Sequence, residues 1–138
     1  MSQVEAGGCL CGEVRYSFPR DAVISSFHCH CTDCQKSTGC GKASLVMVPT
    51  AAIATEGELK GYTVTGTEGA TVSRGFCSNC GSPVMSQVAE MPDIRMIKVG
   101  SLEDSSWVSP VFSCWTSSAQ TWSPADASLP TMENNPEL

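Results

Sequence analysis

The chain has 138 residues, nine cysteines and a net charge of −6, with 14 acidic side chains against eight Lys and Arg. That length suits a single domain spanning residues 1–138, able to bury about two-thirds of its unfolded surface. The acidic balance and the scatter of its cations (Arg15, Arg20, Lys36, Lys42, Lys60, Arg74, Arg95 and Lys98) argue against a nucleic-acid partner. No apolar run approaches the roughly 18 residues of a membrane span. Met1 to Gly8 has neither the basic start nor the apolar run of a secretory signal, so a cytoplasmic protein is expected.

In chain order, Gly7 to Gly12 reads as a turn-rich loop carrying Cys9 and Cys11. It feeds a strand over Glu13–Phe18, where Val14, Tyr16 and Phe18 share one face by period-two alternation. Pro19-Arg20-Asp21 breaks it, and an apolar run from Ala22 to Phe27 delivers the chain to a cysteine-rich loop, Cys29 to Gly39. Lys42–Val48 reads as a strand, Thr50–Thr55 as a helical turn or an irregular link, and Glu56–Gly69 as turns with exposed edge strands. Ala70–Phe76 is a strand running into Cys77-Ser78-Asn79-Cys80-Gly81, whose glycine suits a reversal at positive φ. Pro83–Val88 and Ile94–Val99 follow as strands, and Trp107–Cys114 is β-prone, with Pro110 confining it to an edge or an end. Thr116 to Leu138 is expected to wrap as coil. The fold class is mostly β, with no long amphipathic helix.

An odd number of cysteines cannot form a complete intrachain disulfide framework, and clustered cysteines in a reducing compartment are more often metal ligands or catalytic groups. Within Cys29-His30-Cys31-Thr32-Asp33-Cys34, an extended segment points Cys29 and Cys31 to one side, and Cys34 completes a C-x-x-C turn with Cys31. Three sulfur ligands leave the vacant fourth position of a catalytic zinc. Cys9, Cys11, Cys77 and Cys80 would make a closed structural site. Spacing alone leaves a second partition open, in which Cys31, Cys34, Cys77 and Cys80 form a ribbon and Cys9, Cys11 and Cys29 remain.

Gly8-Cys9-Leu10-Cys11-Gly12-Glu13-Val14-Arg15-Tyr16, then Cys29-His30-Cys31-Thr32-Asp33-Cys34, then Phe76-Cys77-Ser78-Asn79-Cys80-Gly81 resemble the glutathione-dependent formaldehyde-activating enzyme family. The centromere protein V group shares that domain. Trp115 to Trp122 is similar to the family's C-terminal segment. The resemblance implies a β-tent of stacked antiparallel sheets stapled by zinc, with two zinc ions per chain. It assigns Cys9, Cys11, Cys77 and Cys80 to a structural zinc and Cys29, Cys31 and Cys34 to the catalytic one. It implies a carbon–sulfur lyase activity: reversible joining of a small thiol such as glutathione to an aldehyde, formaldehyde in the family's case. The chemistry is sensible, because a fourth thiolate on three thiolate ligands stays electron-rich enough to attack a carbonyl carbon. Gln35 stands after Cys34 where the family often has arginine; Lys36 is then the nearest cation for a substrate carboxylate.

The remaining residues have plainer readings. His28 and His30 alternate with the cysteines and should point away from the metal, bonding around it or simply exposed. Asp33 is a proton carrier or an exposed aspartate capping the next residues. Ser37 and Thr38 contact substrate or close a turn at Gly39. Cys40 and Cys114 are expected to be buried and inert. Trp107, Trp115 and Trp122 are expected as core or tail anchors. Two alternatives stand beside the enzyme: a non-catalytic binding module whose triple-cysteine zinc is closed by His28, His30 or Cys40, and a redox switch built on that triple.

Overall fold

The computed structural model describes residues 3–136; Met1 and Ser2 of the segment tested for a signal, and Glu137 and Leu138 of the expected C-terminal coil, lie outside the described residues. The protein is mostly β, in two sheets. Val4–Gly8 (β1), Arg15–Pro19 (β2) and Ala54–Glu56 (β5) form a three-stranded antiparallel sheet in the order β1-β2-β5. The larger sheet contains Ser25–Cys29 (β3), Ala43–Pro49 (β4), Leu59–Thr65 (β6), Thr71–Cys77 (β7), Pro83–Val88 (β8), Ile94–Lys98 (β9) and Ser113–Cys114 (β10). Its order is β10-β3-β4-β9-β8-β7-β6. All its pairings are antiparallel except β10 on β3, which is parallel and sets Cys114 beside Cys29.

Strand alternation divides the core. On the interior strand β4, Val46 and Val48 face one way, into a cluster with Val14 of the β1–β2 turn, Tyr16 and Phe18 of the small sheet and Met85 and Ile97 of the large one. Ala43, Leu45 and Met47 face the other way, into a second cluster with Phe27, Cys29, Cys34, Met96, Phe112 and Cys114. The first cluster joins the two sheets. The second is roofed by the short helix α1 (Thr32–Thr38) and by the C-terminal segment, where Phe27 and Phe112 stack at 4.9 Å.

Several boundaries differ from the sequence reading. β1 is not among the strands expected from sequence and ends in Gly7 and Gly8, read as the start of a loop; it forms because its backbone pairs with β2 from Val4↔Pro19 to Gly8↔Arg15. Trp107–Cys114 contributes only two strand residues, since Pro110 has no N–H to donate to a ladder. Thr50–Ala52 forms one 3-10 turn, and β6 is the exposed edge strand. Trp107 packs edge-on against Phe18 beneath Arg20, and Trp115 packs into the second cluster. Trp122 is 68% exposed and is not a core residue, the first of the two readings given for it. No helix of the described residues is long and apolar enough to cross a membrane.

Candidate metal centres and active site

The cysteines gather into two groups, and the geometry selects the partition. The sulfurs of Cys9, Cys11, Cys77 and Cys80 lie within 4.8 Å of one another, and so do those of Cys29, Cys31 and Cys34. The ribbon of Cys31, Cys34, Cys77 and Cys80 does not form, because the β1–β2 and β7–β8 hairpin ends meet each other and leave the central triple on the far sheet face.

The four-cysteine group is made by two hairpin turns from different sheets. Cys9 and Cys11 sit in the turn between β1 and β2, held by the bond from Cys9 N–H to the Val14 carbonyl (3.0 Å). Cys77 and Cys80 sit in the turn between β7 and β8, where Cys77 N–H donates to Ser82 O (3.0 Å) and Gly81 N–H to Cys77 O (2.9 Å). Gly81 takes a φ of 77°, the left-handed value the reversal needs. The turns touch directly through Leu10 N–H on the Ser82 hydroxyl at 3.1 Å. Sulfur separations of 3.6 Å (Cys9–Cys11) and 3.7 Å (Cys11–Cys77) are close to the roughly 3.8 Å edge of a tetrahedron with Zn–S bonds of about 2.3 Å. Backbone N–H groups of Val14, Asn79 and Cys80 aim at the sulfurs from 3.2 to 3.4 Å, and the Ser82 hydroxyl holds the Cys80 thiol down, to about 5. This donor set fits a closed four-sulfur zinc site.

The three-cysteine group is local. Cys29 ends β3; Cys31 is the N-cap of α1, its sulfur accepting from Cys34 N–H at 3.2 Å; Cys34 lies in the helix's first turn. The cap is therefore a sulfur, and Asp33 is not the capping residue. Ser37 and Thr38 hydroxyls donate back to the Cys34 carbonyl (3.2 and 2.7 Å), and Gly39 ends the helix in the left-handed conformation. The two residues thus hold the helix end. Hydrogen bonds from Cys29 and Cys31 hold the Cys34 thiol well down, with the charges of Lys98 and Arg74 adding to the effect. The Cys29 thiol is pushed up, first by its hydrogen bond to Cys114.

Among the described residues, none of the proposed closing ligands joins this triple. His28 Nδ1 is bonded to the Ser44 hydroxyl at 2.8 Å. His30 is fully buried, and neither ring nitrogen makes a hydrogen bond of full geometry, so it is neither exposed nor bonded around the triple. Cys40 is exposed, not buried as expected, with its N–H on the Thr38 hydroxyl. Three sulfurs at this spacing fit a zinc ion that keeps one further position.

A cavity of about 220 Å³ opens beside the triple. It is floored by one face of the large sheet: Phe27, Leu45, Val72, Arg74, Ser86, Val88, Met96 and Lys98, with Cys114 at its edge and Trp115 in its wall. Strand register places Arg74 opposite Ser86, Ser86 opposite Met96, and Lys98 opposite Leu45. Arg74 Nη2 is 3.7 Å from Cys34 Sγ. Burial pushes the Lys98 ammonium down, opposed first by the negative charge of Cys34. These two cations were missed from sequence, whereas Cys114 is buried as expected. The available signal was a lysine in phase with Ile94 and Met96 on an apolar strand.

Gln35 and Lys36 take other places. Gln35 Nε2 bonds the His30 and Ser118 carbonyls (2.8 and 3.0 Å), tying α1 to the C-terminal segment. Lys36 lines an outer cleft of about 380 Å³ with Asp33, Ser37, Tyr62 and Arg74.

No curated protein matches the sequence. The crystal structure of a Rhodobacter sphaeroides protein matches the fold with a TM-score of 0.56 at 24% identity, covering 76% of this chain and 91% of that one. The family described as glutathione-dependent formaldehyde-activating enzyme matches over residues 4–118. That span contains both cysteine groups, both hairpin turns and the helix whose N-cap is a cysteine sulfur, and the chain belongs to this family.

Proposed function

We propose that the protein is a zinc-dependent carbon–sulfur lyase of the S-(hydroxymethyl)glutathione synthase type, joining a small thiol to an aldehyde or cleaving the adduct. Cys29, Cys31 and Cys34 would hold the catalytic zinc, and Cys9, Cys11, Cys77 and Cys80 the structural one. The observation that carries this reading is the three-sulfur group with a cavity, rather than a fourth protein ligand, at its side. Zinc bound at the triple would keep a substrate thiol deprotonated near neutral pH and leave it nucleophilic. The chain's own part is to fix the reacting groups. The sheet face and α1 hold the sulfurs, while Phe27, Leu45, Val72, Val88 and Met96 exclude water from the cavity. The outer cleft, which shares Arg74 with the cavity, offers room for the rest of a peptide thiol. Family membership supports glutathione as that thiol; the cytoplasm, where glutathione is abundant, is the compartment proposed.

Exchange NMR on glutathione and formaldehyde at equilibrium tests the reading, with zinc-loaded protein and with Cys34→Ala. Acceleration by the wild type alone supports it. No acceleration with both zinc ions present removes this thiol–aldehyde pair.

A further inference from the structure

Among the described residues, the cavity beside the triple is lined by two cations and no carboxylate. Lys98 is 7% exposed, and the Nε of Arg74 is buried without a hydrogen-bond partner. Among the described residues the ion pairs are Arg15–Glu103 and Arg20–Glu5, so neither Arg74 nor Lys98 has an acidic partner at bonding distance. Asp33, in the outer cleft, is the acidic side chain whose charge acts on Arg74. Buried charges are costly unless balanced nearby. The balancing charge here is that of the sulfurs, with Arg74 Nη2 at 3.7 Å from Cys34 Sγ.

The count of charges is specific. Three thiolates with a divalent zinc leave one negative charge, and Arg74 with Lys98 turns the site positive by one. A single substrate thiolate brings it to neutral. When that sulfur attacks an aldehyde, its lone pair becomes the C–S bond and the carbonyl π pair moves onto oxygen. The negative charge shifts by two bonds and the total does not change. The oxygen then takes from solvent the proton that the thiol released on binding; the reverse sequence cleaves the adduct.

We propose that Arg74 and Lys98 are the oxyanion-binding pair of this site, holding the negative charge as it passes from the substrate sulfur to the carbonyl oxygen. The pair is preorganised, because β7 and β9 flank β8 in the sheet floor and both side chains face the triple. The same count selects a neutral aldehyde. One bearing a carboxylate would leave an unbalanced negative charge in an apolar cavity.

This inference rests on the thiol–aldehyde reading. Its test uses the zinc-loaded full chain and its Arg74→Met, Arg74→Lys and Lys98→Met variants. Exchange rates with glutathione and formaldehyde are read beside zinc content by atomic absorption and glutathione affinity by calorimetry. Each methionine variant is expected to lose about 100-fold in rate, with zinc content unchanged and glutathione affinity weakened by less than about tenfold; Arg74→Lys recovers part of the loss. Should a methionine variant fail to fold, Arg74→Gln and Lys98→Gln are judged by the same criteria. Unchanged rates at full zinc overturn the pair, as does a loss that merely follows lost zinc or lost glutathione affinity. A zinc-loaded wild type that accelerates nothing overturns the thiol–aldehyde reading and this proposal together. Wild-type acceleration with unaffected variants overturns this proposal alone.

Discussion

The two cysteine groups are built from the same side chain and differ in everything around it. The group of four draws its ligands from two hairpin turns 66 residues apart in sequence, one on each sheet, and surrounds them with backbone N–H donors. The group of three comes from one strand end and one helical turn, and is faced by side-chain cations and an apolar cavity. Neutral donors arranged around a complete ligand set stabilise an ion and offer it nothing further to do. Mobile-charge chemistry needs room and full charges, which is what the second group has. The teaching is that ligand number alone does not separate structural from catalytic sites; the surroundings do.

The largest effect should come from breaking the four-cysteine group. Cys77→Ala, or exhaustive chelation, removes a clamp between the two sheets. Zinc binding in small zinc peptides is worth about 10–16 kcal/mol, as much as the whole stability of a typical domain, about 5–15 kcal/mol. We expect the cooperative thermal transition seen by circular dichroism to disappear. Cys34→Ala should do the opposite: it removes at least about 100-fold of thiol–aldehyde exchange while the thermal transition persists. If Cys34→Ala unfolds the protein and Cys77→Ala does not, the comparison is inverted and the assignment of roles fails.

A smaller effect sharpens the structural side. Tyr16 lies in the core between the sheets, and burial pushes its hydroxyl up to about 12 from 10. The folded state therefore holds the phenolic proton more tightly than the unfolded chain. Its contribution, about 2–3 kcal/mol for two pH units, is complete below pH 10 and is lost as pH rises from 10 towards 12. Urea unfolding of the zinc-loaded protein across that window should show the decline, and Tyr16→Phe should abolish that part of it. A slope unchanged in Tyr16→Phe would remove the tyrosine as its cause.

Smaller again is Gln35→Ala. It deletes the bonds from α1 to the His30 and Ser118 carbonyls and should cost about 1–2 kcal/mol, read as a lowered urea midpoint with zinc content retained. Because Gln35 points to the C-terminal segment, not the cavity, exchange activity measured below the transition should be little changed. A large loss of rate at unaltered stability would put Gln35 at the substrate after all.

Much of the fold was legible in period-two patterns. Pro83–Val88 was read with its observed limits, and the strands around Tyr16, Val46 and Val72 were placed within a few residues. What escaped was set by partners distant in the chain. β1 exists because β2 pairs with it, and the parallel β10 exists because β3 receives it. The helix Thr32–Thr38 was read as a loop; its N-cap is a cysteine, which supplies a sulfur acceptor where a serine or aspartate would have announced the start.

By itself the sequence determined which residue types were available for a metal and, through the C-x-C and C-x-x-C spacings, that they would occur in tight turns, because short-range geometry follows from short-range spacing. The family, too, was legible in those motifs. Only the tertiary structure decided which turns meet, since sulfurs separated by half the chain are brought together by sheet pairing that no local pattern encodes. It also decided what faces the triple. Arg74 and Lys98 are ordinary strand residues in sequence and become the charged wall of an apolar cavity only when β7, β8 and β9 align in register.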